Sequence, residues 1–117
     1  YPFYLPDDFD ATGAVTFEIY WNTAATAGNV IWSVQTTCVG VGETVDPAYN
    51  AAQTVTTAAQ GVTLYKQKST ITPLTMTGCS AGETLFVKVD RNGATGGDTI
   101  AATAALIAIE IQYFRKR

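Results

Sequence analysis

Histidine is absent from the 117 residues. That removes the side chain that most often serves as general base near neutral pH and as ligand to a transition metal, and it weighs against hydrolase chemistry. Charge is scarce as well: Asp, Glu, Lys and Arg make up 15% of the chain, seven basic residues against ten acidic. A net charge of −3 is the wrong sign for a surface that displaces phosphate counterions, so no nucleic-acid partner is expected. The one basic cluster, Arg115-Lys116-Arg117, reads as a solvated end that stops a strand. No apolar run approaches the roughly 20 residues of a membrane helix, and no signal-peptide pattern opens the chain. No membrane partner is expected. The chain begins at Tyr1 rather than Met, as a processed form or a piece of a longer protein would. With only two cysteines and no histidine, a zinc site lacks ligands.

What the chain does contain is apolar residues, 47% of the total, far from the signature of disorder and enough for one domain with its own core. Almost every segment alternates with period two and is rich in Thr, Val, Ile and aromatics, the pattern of strands with one buried face. In "AVTFEIYW", Val15, Phe17, Ile19 and Trp21 share one face; in "VIWSVQTTCVG", Val30, Trp32, Val34, Thr36 and Cys38 do. Read together, these segments form a hairpin closed by Gly28-Asn29, with both tryptophans in the core because their neighbours on the same face are aliphatic. Gly42, Pro47 and Asn50 then punctuate a long connection expected to cross from one sheet to the other, with one short strand near residues 53–57.

Further strands are expected over "VTLYKQKSTI", where Val62 and Leu64 alternate with Thr63 and Tyr65, and Lys66 and Lys68 mark an edge. Two more are expected around a Gly-rich turn in "PLTMTGCSAGETLFVKVDRNG". "DRNGATGGD" is the strongest loop signal, and Gly93, Gly96 and Gly97 do not form a phosphate cradle. In the last segment Ile107, Ile109, Ile111 and Tyr113 alternate with Ala108, Glu110 and Gln112, so a strand is expected there despite the helix-friendly alanines before it. About eight short strands on this length give an all-β fold, a two-sheet antiparallel sandwich of jelly-roll type, with an immunoglobulin-like sandwich as the alternative.

Cys38 and Cys79 form an even pair in a Thr-rich sandwich and read as a disulfide, two unrelated buried thiols being the alternative. Asp7, Asp8 and Asp10, with Glu43, Asp46, Asp90 and Asp98, lie in or beside turns. Their spacing fits no calcium loop, and nothing fixes two of them across a cleft as glycoside hydrolysis requires. They read as solvated turn carboxylates, and the chain as no enzyme, with no metal or cofactor.

Four stretches, "LPDDFDATGAVTFEIYWNTAATAGNVIW", "CVGVGETVDPAYNAAQTV", "TGCSAGETLFVKVDRNG" and "DTIAATAALIAIEIQY", resemble in that order a widespread group of small domains. These occur in tailed-phage and prophage structural proteins and at the C-terminal ends of fibre-like proteins. The resemblance implies a β-sandwich displayed on a virion or other extracellular fibre, commonly assembled in threes, with no catalytic residues. Residues 1–12, carrying Pro2 and Pro6, are expected as an extended arm before a sandwich domain over 13–117. Tyr1, Phe3, Tyr4 and Phe9 would then cover a neighbouring copy in a homotrimer or larger assembly. A carbohydrate-binding module or glycan-binding fibre tip is the alternative, in which Tyr20, Tyr49 and Tyr65 stack on the sugars of a cell-surface glycan.

Overall fold

The computed structural model describes residues 1–44, 48–61, 64–92, 97–100 and 102–115. Outside them lie Asp46, Pro47, Val62, Thr63, Gly93, Gly96, Lys116 and Arg117, and with them parts of the expectations above. Seven strands form where the period-two segments stand: β1 (Pro2–Tyr4), β2 (Thr16–Thr23), β3 (Asn29–Val39), β4 (Gln53–Ala58), β5 (Gln67–Ile71), β6 (Thr84–Arg91) and β7 (Ala104–Gln112). They pair antiparallel in two sheets, β1-β6-β3-β4 and β5-β2-β7. The two inner faces enclose one core, built from Phe17, Ile19 and Trp21 on one side and Val30, Trp32, Val34, Leu85 and Val87 on the other. The protein is a two-sheet antiparallel sandwich.

Chain connectivity differs from the expectation at two places, and the two exchange roles. β2 and β3, expected as a hairpin, lie in opposite sheets, and the long connection expected to cross between sheets instead joins the neighbours β3 and β4. The five residues 24–28 between β2 and β3 reach about 17 Å when extended, more than the roughly 10 Å between packed sheets. Loop length therefore permits either arrangement. Both strands carry their large apolar side chains on one face, and in the fold those faces meet across the sandwich. Trp21 (0% exposed) and Trp32 (3%) do so, with ring centroids 6.3 Å apart and planes tilted by 58°.

The strand pairs nest. β3 pairs with β4, β2 with β5 and β1 with β6, while β3–β6 and β2–β7 complete the sheets. An immunoglobulin sandwich pairs its first two strands with each other; here β1 and β2 are in different sheets. A jelly roll has eight strands, one more than the described residues form; residues 72–83, expected to contain a strand, run as turns around the Thr72–Pro73 bond and the buried Leu74 and Cys79. β5 also starts later than expected, at Gln67: Leu64 has a positive φ of 62°, outside the extended region of a strand.

The N-terminal segment lies along its own chain. Pro2, Phe3 and Tyr4 pair with Phe86, Leu85 and Thr84, the Tyr1 ammonium donates to the Val87 carbonyl at 2.7 Å, and Leu5 exchanges backbone hydrogen bonds with Gly82 and Glu83. Phe9 is 1% exposed and tilts against the Tyr113 ring at 5.7 Å, while Asp8 accepts from Arg115 Nε at 2.6 Å. These contacts close residues 1–10 onto the body of the sandwich.

Candidate functional site on the three-stranded sheet

The outer face of β5-β2-β7 carries a polar cluster drawn from all three strands. Register sets Glu18 of β2 directly opposite Glu110 of β7 and places Lys68 of β5 beside Tyr20. Like charges directly opposite destabilise a ladder, and the sequence answers with Tyr20, two residues along the same face from Glu18. Its hydroxyl donates to Glu18 Oε2 at 2.8 Å, with Glu110 Oε1 at 3.4 Å. Lys68 Nζ stands 3.4 Å from Glu18 Oε1, and Gln112 Nε2 donates to Glu110 Oε1 at 3.0 Å.

The Tyr20 hydrogen bond holds the Glu18 carboxyl below the usual carboxylate range, burial opposing it and Glu110 and Lys68 adding to it. The same bond to Glu18 pushes the Tyr20 phenol up to about 12, helped by burial and by the charge of Glu110. Such a cluster is charged, hydrogen-bonded and set on an open sheet face.

Of the three tyrosines expected to meet glycan, Tyr20 is half-buried, and the Lys66 ammonium covers its ring at 4.5 Å from the centroid. Tyr49 and Tyr65 are exposed but stand toward opposite ends of β5. Tyr49 adjoins Asn50, whose amide donates to Thr36 and Thr77, whereas Tyr65 follows Leu64, tied to the Thr23 carbonyl. Tyr20 lies on β2, Tyr49 before β4 and Tyr65 before β5. Of the aromatics expected at an interface between copies, Tyr1 and Tyr4 are exposed, Phe3 is half-buried against the core, and Phe9 is a core residue of its own chain.

A depression of about 270 Å³ beside β1, lined by Tyr4, Val39, Gly40, Val41, Glu43 and Phe86 among others, is shallow. A second, of about 200 Å³, lies between the start of β2 and the end of β7. The carboxylates near the first are already engaged: Glu43 Oε1 accepts from the Gly40 amide at 2.6 Å, and Glu83 Oε1 from the Ser80 amide at 2.8 Å. Among the described residues no group of three His, Cys, Asp or Glu side chains is placed to hold a metal ion.

One expected turn carboxylate does more than face solvent. Asp98, its side chain 1% exposed, accepts from Arg91 Nε at 3.1 Å and Nη2 at 2.7 Å, and from the Ile31 amide at 3.1 Å. The same guanidinium donates to the carbonyls of Ile100 and Ala102. The Arg91 fork holds the Asp98 carboxyl below its ordinary range, against the effect of burial. This lock fastens the β6–β7 connection to β3 and so fixes where β7 enters its sheet. Seven-residue spacing across a Gly-rich turn is a faint signal in sequence, where Asp98 reads as a solvated turn carboxylate. The disulfide does form: Cys38, near the end of β3, is bonded to Cys79 in the β5–β6 connection.

The four outer strands of the two sheets differ in how their free edges are treated. β1 is three residues long and starts at Pro2, β5 carries Lys68, and β4 is closed against β5 by Thr57–Ser69 at 2.6 Å and by Gln60 N to Gln67 Oε1 at 3.1 Å. β7 has nine residues with neither Lys, Arg nor Pro. Its register against β2 shifts between Tyr20 and Trp21, which leaves Ile107 as an extra residue in a bulge, 49% exposed. Its inward side chains, Leu106, Ile109 and Ile111, are only partly buried. Comparison with family models, curated proteins and solved structures gives no match to this chain.

Proposed function

We propose that this domain is a non-enzymatic structural module of a virion or other extracellular fibre, which assembles with copies of itself through its strand edges. The observation that carries this reading is β7, a nine-residue apolar edge without the lysine, proline or short length by which strands elsewhere in the molecule are guarded. Sequence supports it too: charge is scarce and the chain is rich in small and β-branched residues, as suits a subunit whose sides are covered by its neighbours. We read the nested winding as that of a jelly roll, of which the described residues form seven strands, an architecture used in viral capsid and lectin domains. The four sequence stretches that resemble phage and fibre domains point the same way. The disulfide fits an oxidising, extracellular setting.

The experiment is the molar mass of the purified 117-residue chain by light scattering across a wide range of concentration. An oligomer that persists on dilution supports the assembly role. A monomer at every concentration overturns it.

A further inference from the structure

Among the described residues no strand pairs with β7 on the side away from β2, and the pattern of that edge is complementary to itself. Directly opposite residues of an antiparallel pair point to the same side of the sheet, so the inward and outward sets of β7 restrict the registers in which two copies can meet. The register with β2 assigns these sets: Leu106, Ile109 and Ile111 lie inward with Trp21, Ile19 and Phe17, and Ala105, Ala108, Glu110 and Gln112 lie outward with Asn22, Tyr20, Glu18 and Thr16. Pairing about Glu110 would place Glu110 against itself, beside Glu18, and like charges directly opposite repel. Pairing about Ile109 avoids this. Ile109 then meets the partner's Ile109, Leu106 meets the partner's Ile111 across the bulge, Glu110 meets the partner's Ala108, and Gln112 meets the partner's Ala105.

We infer that two copies join their β7 strands antiparallel about a two-fold axis at Ile109, merging two three-stranded sheets into one of six. This rests on the assembly reading above and specifies its surface. The edge is about 30 Å long, and its inward apolar side chains, partly buried in one chain, would be covered by the inward side chains of the other. A two-fold contact of this kind is isologous and closed, and the added strand contributes main-chain hydrogen bonds as in strand augmentation.

The test uses the full chain and two substitutions at one exposed outward position. Ala108→Glu sets a carboxylate against the partner's Glu110 twice per dimer and is expected to raise the dimer dissociation constant about tenfold, whereas Ala108→Lys sets an ammonium there and leaves it unchanged or lowers it. Unaltered emission from the buried tryptophans verifies folding. Should Ala108→Glu unfold the chain, Ile107→Glu, which sets an unpaired charge in the exposed bulge of the same edge, is expected to raise the dissociation constant as well. An oligomer that responds equally to both charges, or to neither, overturns the β7 interface while leaving assembly by another surface intact. A cyclic trimer overturns the two-fold axis, and a monomeric wild type removes both readings.

Discussion

Breaking the Cys38–Cys79 bond should cost this domain a large share of its stability. The bridge spans 41 residues of sequence, and on the chain-entropy account closing a loop of that length stabilises the fold by about 4 kcal/mol. What the bridge holds explains why little else would compensate. It fixes residues 72–83, a strand-free connection on one side of the core, to the end of β3, and the other anchors of that connection are the buried Leu74 side chain and a few hydrogen bonds. Gln53 Oε1 accepts from Thr75 N at 2.7 Å, Gln53 Nε2 donates to the Pro73 carbonyl at 2.9 Å, and Asn50 donates to the Thr77 carbonyl at 3.3 Å. For a domain of this size about 4 kcal/mol corresponds to a fall of about 15 °C in Tm. Differential scanning calorimetry of the oxidised chain, the reduced chain and the Cys38→Ala/Cys79→Ala variant measures it. A fall of less than about 3 °C in both altered forms would refute the reasoning, since loop closure would then contribute little.

Asp98→Ala should destabilise the fold by about 3 kcal/mol in urea unfolding, because it leaves the Arg91 guanidinium and the Ile31 amide without their acceptor in a mostly buried site. The folded-state pKa of Asp98 is depressed, so its contribution is fully present above the unfolded value of about 3.9 and is lost as pH falls through the folded value. Wild-type stability should therefore drop on acidification below about pH 4, and the drop should be smaller in the variant. Trp21 donates to Ser69 Oγ at 3.0 Å inside the core, whereas Trp32 Nε1 has no such partner. Trp21→Phe should thus cost about 1 kcal/mol more than Trp32→Phe, and wild-type emission should be blue and resistant to iodide. Tyr20 should ionise near pH 12, seen as phenolate absorbance missing from Tyr20→Phe; because its folded pKa is raised, the stability it contributes is complete below about pH 10 and is lost as pH rises through the folded value.

Which residues face inward was legible in the sequence, because a period of two leaves little choice once one face is apolar. Phe17, Ile19, Trp21, Val30, Trp32 and Val34 are all buried as their alternation requires. Which strand neighbours which was not legible, since alternation is blind to whether the covering face belongs to the same sheet or the opposite one. Residues 24–28 could close a hairpin or cross the sandwich, and only the meeting of Trp21 with Trp32 shows the crossing.

The polar sites were harder still. Glu18, Tyr20 and Glu110 become one cluster only when β7 lies beside β2 in register, a pairing of segments some ninety residues apart. Arg91 and Asp98 sit close in sequence, yet their burial depends on Ile31 from a distant strand. Phe9, expected on a neighbour, is covered instead by Tyr113 from the far end of the same chain.

The most direct test of assembly through β7 is amide hydrogen exchange followed as a function of protein concentration. Protection of residues 104–112 should rise with concentration while that of β1 and β5 stays constant, as expected if only this edge gains hydrogen-bond partners from a second copy. Exchange in β7 that is fast and independent of concentration, in a sample shown to be oligomeric, would contradict the account.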